Sequence, residues 1–385
     1  MTKKFILIIA LSTRPFVKAA KEAGYHVTAI DAFADKETVA LADKTLVVGI
    51  DKNGFVASQL LAAVKSLALD EYAGFVYGSG LDAQPALLQE LARLLPLIGN
   101  RAESVADVKT ATSFFAALDA LNIQYPAIYF SKPVDVDAHT YLMKFAGGCG
   151  GTHIQICDAG THNKSSNSAV SNNYYFQQYI AGRSISLLFL ASQNIISVIG
   201  FNEQLMSASQ VTPFRYGGAV SNIELMQAIK KQLIDYAEKL TVKFGLVGLN
   251  SLDVIVENDV VYVLEINPRL TATFDLYADS MCGLFTAHLQ ACQLKNDYVK
   301  LVNASNQSNA HAILYAPQAM QVTNTFIWPD WVVDTPQSDQ TFINVELDAP
   351  ICTVLASAET SGSAKQLVQS RVKMLLDMLI HHSLT

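Results

Sequence analysis

The sequence predicts an α/β protein, and three stretches carry that prediction. Residues 5–31 read as a buried strand, a helix and a second strand, which is a βαβ unit and favours a parallel sheet. Residues 246–271 form two β-branched runs around a polar tip, which predicts an antiparallel hairpin. Residues 296–385 carry short apolar runs and then a helical pattern over about 363–379, which predicts a small β-rich unit with a terminal helix.

These patterns divide the chain into three predicted parts. Residues 1–99 are expected to form a small doubly wound parallel-sheet domain, and residues 296–385 the β-rich unit. Residues 100–295 lie between them. Within that stretch, residues 158–173 are rich in Ser, Asn and His and have no apolar period, so we expect that segment to be mobile.

Composition excludes several classes of protein. The net charge of −7 argues against a nucleic-acid surface, and no apolar run reaches membrane-spanning length. The five cysteines form no CxxC pair, which predicts reduced thiols and a cytoplasmic protein. Residues 5–11 superficially resemble a signal peptide. A buried first strand is the better interpretation, because the apolar run is short and no small-residue cleavage site follows.

Four polar side chains interrupt the apolar arms of the hairpin. Asp253 lies in the first arm, and Glu265, Asn267 and Arg269 alternate along the second, so these three lean the same way. Oxygen ligands of this kind suit Mg²⁺, and an arginine beside them can grip a phosphate or a carboxylate. A solvated polar face is the alternative, but acids among almost wholly apolar neighbours need a reason.

A shared metal site would constrain the register of this hairpin. A two-residue turn at 258–259 would place Asp253 and Glu265 on opposite faces, since a slip of one residue turns every side chain over. One extra residue would pair Asp253 with Glu265 and Ser251 with Asn267. We therefore expect a three-residue connection or a bulge at the tip.

Asp253, followed by the Glu-x-Asn-Pro-Arg run at 265–269, resembles the metal-binding signature of the ATP-grasp superfamily. That superfamily includes biotin carboxylase, D-alanine–D-alanine ligase and many carboxylate–amine ligases. The resemblance extends over about 1–295 and implies the ATP-grasp fold. It implies that Asp253, Glu265 and Asn267 hold Mg²⁺, or alternatively Mn²⁺. It also implies that Arg269 is a catalytic residue. Residues 12–42 also look like uncharacterised ATP-grasp proteins of methylotrophs.

A glycine-rich loop is the second strong feature. Lys144 ends a predicted strand, and four glycines follow over 147–151, so backbone amides can approach phosphates closely. The loop resembles the ATP-grasp lid. The resemblance implies a nucleotide-binding part of α+β type over 100–295, with a lid over about 112–180. It also implies a catalytic role for Lys144 and ATP contacts from Lys144, Gly148, Gly150 and Gly151. Lys109 resembles a lysine at the start of the fold that contacts the nucleotide phosphates, although a lone lysine is more often solvated.

The stretch 175–186 resembles the segment that joins the lid to the core. The resemblance implies further ATP contacts through Gln177, Gln178, Ile180 and Ser184. Ser184 stands where an acid commonly holds the ribose, and its hydroxyl can still bond a sugar.

Acceptor-substrate residues are expected where the N-terminal strands end, because ligands of open α/β sheets lie beyond the carboxyl ends of the strands. The residues in question are Ser12, Arg14, Gly78, Ser79 and Asp82. Helix capping and an ordinary connecting loop are the alternatives. In the loop 214–218, Arg215 is a further partner for a phosphate or carboxylate.

The resemblance implies an ATP-dependent ligase that joins a small-molecule carboxylate to an amine or other nucleophile through an acyl phosphate. Nucleic acid and membrane are not expected as partners, and a homodimer is allowed. Two alternatives stay open. One is a biotin-carboxylase-like carboxylation, which needs a biotinyl carrier, and no Met-Lys-Met motif occurs here. The other is an ATP-binding regulator without turnover.

Overall fold

The structure is a computed structural model, and it describes residues 5–133, 140–157, 174–293, 307–338 and 340–383. It confirms the predicted α/β class, with a parallel sheet at the N-terminus and antiparallel sheets after it. The stretch expected to be mobile, 158–173, lies outside the described residues.

A four-stranded parallel sheet opens the chain, in the spatial order β3-β2-β1-β6. Its strands are β1 (Phe5–Ile9), β2 (His26–Asp31), β3 (Lys44–Val47) and, after the hairpin β4 (Ile50–Asp51) and β5 (Gly54–Phe55), β6 (Tyr72–Tyr77). The helices between and after them are α1 (Arg14–Glu22), α2 (Lys36–Leu41), α3 (Ala57–Lys65) and α4 (Pro85–Leu94). The strand order reverses at β1, so a crevice is expected beyond the carboxyl ends of β1 and β6.

Two helices and a small antiparallel sheet follow. The helices are α5 (Ala102–Lys109) and α6 (Ala111–Ala120). The strands are β7 (Ile128–Tyr129), β8 (Tyr141–Phe145), β9 (Ile154–Cys157) and β10 (Tyr174–Gln178), in the order β7-β10-β8-β9. This sheet carries the glycine-rich loop between β8 and β9.

An eight-stranded antiparallel sheet forms the rest, in the order β15-β14-β11-β12-β13-β16-β20-β18. The strands of this sheet are β11 (Arg183–Ser192), β12 (Ile195–Met206), β13 (Tyr216–Val220), β14 (Gly248–Glu257), β15 (Val260–Asn267), β16 (Ser308–Tyr315), β18 (Val332–Val333) and β20 (Pro350–Ala358). Two further strands, β17 (Met320–Thr323) and β19 (Phe342–Val345), pair with each other in a separate sheet. Strands before and after residue 295 share this sheet, so the predicted C-terminal unit continues the central sheet.

Three long helices accompany this sheet. They are α7 (Gln227–Phe244), α8 (Met281–Cys292) and α9 (Ser361–Ser383). In α7, Ile229, Leu233, Leu240 and Phe244 are buried at helical spacing, which explains why that face packs on the core. The helix ends at Gly245, whose φ of +60° suits a residue without a side chain. Within the described ranges, no helix combines the length and apolar character needed to cross a bilayer.

The hairpin of β14 and β15 turns in two residues. Glu257 pairs with Val260, and both turn residues have positive φ, 47° at Asn258 and 66° at Asp259. Such a turn matches the twist of the two strands, and Asn and Asp tolerate its left-handed backbone. The expected three-residue connection is therefore wrong.

The expected bulge is present, but it lies inside the hairpin and not at its tip. Val254 pairs with Val263 and Asp253 with Glu265, so Leu264 is the extra residue. This shift places Asp253 and Glu265 on one face, and it sets Ser251 opposite Asn267, as the register argument required.

A buried histidine joins α8 to the sheet. The Nδ1 atom of His288 accepts a hydrogen bond from the Leu249 amide at 2.9 Å, and its Nε2 lies 3.1 Å from the Ile98 carbonyl oxygen. These partners assign the proton to Nε2 and require a neutral ring. Burial lowers the pKa of His288 to about 4.

This histidine should make stability depend on pH. An unfolded histidine has a pKa of about 6.5, so the unfolded state binds the proton first as pH falls. Stability should therefore be lost between about pH 6.5 and 4, by roughly 3 kcal/mol from this residue. His288→Gln keeps a donor and an acceptor and should flatten that part of the pH profile in urea unfolding. His26→Gln, at an exposed position, is the matched control, and parallel curves for wild type and His288→Gln would contradict the assignment.

Candidate active site

The three residues predicted to bind a metal lie together. The Nδ2 atom of Asn267 donates to Asp253 Oδ2 at 3.0 Å and to Glu265 Oε1 at 3.4 Å. Ser251 Oγ donates to the other oxygen of Asp253 at 2.9 Å. Asp253 and Asn267 are buried, whereas the Glu265 side chain keeps 40% of its surface exposed. The site therefore opens to solvent on the Glu265 side.

Two cations and a further acid surround this group. Lys109, at the end of α5, places Nζ 3.0 Å from Glu265 Oε2 and 3.0 Å from Asn267 Oδ1. Arg269 donates through Nη2 to Asn267 Oδ1 at 3.2 Å and through Nε to both oxygens of Asp82, at 2.7 and 2.9 Å. Asp82 also lies 3.8 Å from Lys109 Nζ. The predicted residues Asp82, Lys109 and Arg269 thus meet the hairpin acids in one cluster.

Charge is unevenly shared between the two hairpin acids. Burial tends to raise the pKa of Glu265, but the charge and hydrogen bond of Lys109 outweigh it and hold that pKa below its usual range. Burial and the Glu265 charge raise the pKa of Asp253. Its hydrogen bonds with Ser251 and Gln204 lower that pKa, but by less. The pair can hold two negative charges at neutral pH only with a cation close by.

The second group of predicted residues lies in the small sheet. Lys144 is buried and donates to Gln177 Oε1 at 2.6 Å. Burial lowers the pKa of Lys144 to about 8, although the Glu265 charge works the other way. The other polar atom of that amide, Gln177 Nε2, is buried without a partner among the described residues. A buried donor left unpaired invites a ligand.

The glycine-rich loop packs between neighbouring parts of the chain. Gly150 accepts from the Tyr216 amide at 2.8 Å and has open space where a side chain would project. Gly151, at a φ of +71°, lies so close to the Phe214 carbonyl that a Cβ would collide with it. Gly147 in this loop lies against the backbone of Ala83, the neighbour of Asp82. The loop therefore lies against the hairpin cluster.

Two side chains in this loop are uncharged at neutral pH. Burial raises the pKa of the Cys149 thiol to about 11, so it stays protonated at neutral pH. Burial lowers the pKa of His153 to about 4, so that ring is neutral. A Cβ at Gly148 would strike the His153 ring, so this ring packs on the loop backbone, and its Nδ1 is buried without a partner among the described residues.

The predicted adenine and ribose residues fall on consecutive strands. The Gln178 amide already donates to the Ala127 carbonyl at 2.8 Å, and Ile180 lies half-buried just beyond β10. Ser184 donates to Gln204 Oε1 at 2.9 Å, and Gln204 in turn hydrogen-bonds Asp253. Gln204 was not singled out in the sequence, because no local pattern distinguishes it.

The predicted acceptor residues divide into two sets. Ser12, Gly78 and Ser79 lie in the loops after β1 and β6, where the Leu11 amide donates to the Ser79 carbonyl at 3.0 Å. Arg14 and Arg215 do not join the hairpin cluster. Arg14 is paired with Asp275 and Asp334, and Arg215 with Asp348, above the Tyr315 ring.

Known proteins share both the domain and the fold. Residues 109–273 match the sequence family described as the ATP-grasp domain. An uncharacterised protein of Methanocaldococcus jannaschii is 21% identical over 367 residues, which is 91% of this chain and 87% of that protein. A tyramine–L-glutamate ligase of Methanocaldococcus fervens is 25% identical over 146 residues, which is 38% of this chain and 42% of the ligase.

A solved structure extends the likeness to nearly the whole chain. It is the biotin carboxylase domain of the Hydrogenobacter thermophilus 2-oxoglutarate carboxylase, a dimer in complex with MgADP, ADP and bicarbonate. The TM-score is 0.72 at 12% identity, with 96% of this chain and 89% of that one covered. Residues 109–273 therefore match an ATP-grasp domain, as the hairpin signature indicated, and nearly the whole chain shares the fold of an ATP-grasp structure. The members of this family are ATP-dependent ligases.

The contacts of Lys109 predict a measurable coupling to Glu265. Lys109→Met leaves Asp82, Asp253 and Glu265 facing each other with one cation fewer, so it should lower the free energy of unfolding by about 2 kcal/mol or more. Part of that loss should be recovered in the Lys109→Met/Glu265→Gln double variant. Urea unfolding of the wild type, the two single variants and the double variant measures this coupling. If Lys109→Met lowers the free energy of unfolding equally with and without Glu265→Gln, the coupling is refuted.

The matched control is an exposed ion pair. Lys239 and Asp235 lie one turn apart on α7 at 2.7 Å. Lys239→Met should change stability by less than about 0.5 kcal/mol, because exposed pairs contribute little.

Proposed function

We propose that this protein is an ATP- and Mg²⁺-dependent ligase that joins a carboxylate to an amine or other nucleophile through an acyl phosphate. The observation that carries the proposal is the bulge at Leu264, which turns Asp253 and Glu265 to one face beside Asn267, Lys109 and Arg269. This arrangement suits phosphate transfer, where positioning and charge stabilisation supply most of the catalysis.

The donor set fits magnesium. In the described part of the chain, no group of three or more His, Cys, Asp and Glu side chains is placed to hold a metal ion. Mg²⁺ needs less, because it takes one or two carboxylates and completes its shell with water and substrate phosphates. Asp253 and Glu265 would supply the carboxylates. Asn267 would supply an amide oxygen once its amide turns over, because here its Nδ2 faces the two acids and its Oδ1 faces Lys109 and Arg269. The ion would offset charge on the phosphate oxygens.

The surroundings of Lys144 fit a nucleotide. Gln177 Nε2 offers a buried, unpaired donor, and Gly150 leaves open space at the tip of the loop. Lys144 would place its charge on the phosphates, and the amides of Gly148, Gly150 and Gly151 would approach them closely. Gln178, Ile180 and Ser184 are proposed to contact the adenosine, with the Ser184 hydroxyl in place of an acid at the ribose.

In the proposed reaction, an oxygen of the substrate carboxylate attacks the γ-phosphorus of ATP, and ADP leaves. The nitrogen of the amine then attacks the acyl carbon, a C–N bond forms, phosphate departs and the nitrogen loses a proton. Lys109, Lys144 and Arg269 would stabilise the negative charge that develops in both steps. Arg269 is suited to this, because Asp82 holds its Nε while Nη2 faces Asn267.

The nucleophile is what separates this proposal from carboxylation. The similarity to a tyramine–L-glutamate ligase supports an amine. The similarity to a biotin carboxylase domain that binds bicarbonate supports the fold, since the identity is only 12%. Carboxylation of a biotinyl carrier is therefore the second reaction to be tested.

Trapping with hydroxylamine tests the acyl phosphate. The protein would be incubated with ATP, Mg²⁺, hydroxylamine and, in turn, each amino acid and a set of small dicarboxylates. We expect one carboxylate or a close group of them to give a hydroxamate and ADP in equal amounts. ADP formation that requires bicarbonate and yields no hydroxamate would indicate a carboxylase. ATP binding without turnover on any carboxylate would indicate a regulator.

Substitution of the hairpin acids tests the metal. Asp253→Asn and Glu265→Gln should each lower turnover by about 10²-fold or more, because charge stabilisation of this kind is worth several kcal/mol. In calorimetry, Mg²⁺ should increase ADP affinity in the wild type and not in these variants. Glu257→Gln, near the tip of the same hairpin, is the matched control. Turnover within a few-fold of wild type in both acid variants would overturn the metal site.

A further inference from the structure

A second charged cluster lies at the carboxyl end of β1. Arg14 begins α1, and all three nitrogens of its guanidinium donate to carboxylates. Nη1 and Nη2 donate to Asp275 at 3.2 and 2.5 Å, and Nε donates to Asp334 at 2.6 Å. The Arg14 side chain is only 6% exposed. A guanidinium engaged in this way is poorly placed to bind an anionic substrate.

Negative charge exceeds positive charge in this cluster. Asp275 and Asp334 bind Arg14, and Lys18 also acts on Asp275. A third carboxylate, Asp35, is buried nearby, and burial together with the Asp334 charge raises its pKa to about 7. Arg14 and Lys18 offset Asp275 and Asp334, and Asp35, with a pKa of about 7, adds about half a negative charge at neutral pH. A further cation would relieve the surplus, and a further anion would add to it.

A buried histidine lies near the same cluster, and one of its ring nitrogens has no partner among the described residues. The charges of Asp275, Arg14 and Asp334 all act on the ring of His311, which is 3% exposed. Its Nε2 lies 2.8 Å from the Tyr216 hydroxyl. Its Nδ1 is buried and has no partner among the described residues. Such an atom calls for a ligand, because an unpaired buried polar group is costly.

Tyr216 connects the cluster to the hairpin acids. Burial raises the pKa of its phenol well above the usual range, and the charges of Asp253 and Asp275 add to this effect. The phenol is therefore within electrostatic reach of both sites. Asp334 keeps 17% of its side chain exposed, which leaves one carboxylate accessible from outside.

We propose that Asp275, Asp334 and His311 bind the nucleophile of the ligase, and that this nucleophile is an amine that arrives as an ammonium cation. The two carboxylates would hold the charge while the amine binds. An ammonium nitrogen has no lone pair, so it must give up one proton before it attacks the acyl carbon, and His311 Nδ1, in the tautomer that carries the ring proton on Nε2, would take that proton. Arg14 would position the two carboxylates. This inference rests on the ligase activity proposed above, and it replaces the expectation that Arg14 itself holds the acceptor substrate.

Competition with hydroxylamine tests the inference, because hydroxylamine is uncharged at neutral pH and does not need a cation site. Tyramine and putrescine would be added to the hydroxamate assay, with tyrosol and 1,4-butanediol as matched compounds that carry a hydroxyl in place of each amine. We expect at least one amine to suppress hydroxamate formation while its alcohol does not. Asp334→Asn should raise the amine concentration needed by about tenfold or more, and the KM for the carboxylate should change far less.

Two further arms keep the outcome decisive. His311→Gln should raise the amine concentration needed for competition and leave the KM for the carboxylate nearly unchanged. It replaces Asp334→Asn in the test if that variant does not fold. Asp235→Asn removes a carboxylate from the exposed pair with Lys239 and is the matched control. Calorimetric titration of the same amines into protein with MgADP repeats the comparison without turnover.

The results separate this inference from the proposed function. If hydroxamate forms but neither amine competes, the amine site is wrong and the ligase stands. Equal losses for amine and carboxylate in both variants would make the cluster a structural clamp and overturn the site. If no carboxylate gives hydroxamate, the ligase fails. The titration then still decides whether a cation binds at Asp334, and an affinity unchanged by Asp334→Asn would reject it.

Discussion

The register of one hairpin is the constraint on which the site depends. Side chains alternate along a strand, so a two-residue turn alone would have sent Asp253 and Glu265 to opposite faces. Leu264 is the extra residue that corrects this, and it lies in the second strand of the hairpin, beyond the turn at Asn258 and Asp259. Bulges re-aim side chains in this way next to active sites. The local irregularity therefore decides whether the two acids can act together.

Two acids brought to one face create an electrostatic cost that distant parts of the chain offset. Lys109 comes from α5 and Asp82 from the loop after β6, while Arg269 follows the hairpin itself. Tyr77 and Asn100 then donate to the Pro268 carbonyl at 2.9 Å each, which ties the residue before Arg269 to the N-terminal sheet. The charges of the site thus also hold the N-terminal sheet against the central one.

The local sequence was enough to predict those features of the site that depend on local strand geometry. The alternation of Glu265, Asn267 and Arg269 predicted a shared face, and the need to pair Asp253 with Glu265 predicted a bulge. Its position was missed, because no property of Leu264 marks it as the unpaired residue. The partners of Arg14 were also missed. Asp275 and Asp334 lie 261 and 320 residues further along the chain, where the spacing of residues says nothing about contact.

The case of Arg14 shows why residue type alone is a weak guide to a ligand. An arginine at the end of a parallel strand is well suited to a phosphate or a carboxylate when its guanidinium is free. Here two aspartates occupy it, and the balance of the surrounding charges is negative. These surroundings support the proposed cation site and speak against an anion site at Arg14. What a buried site selects depends on the sum of its charges and on the polar atoms left unpaired, such as His311 Nδ1, and both emerge only once the chain is folded.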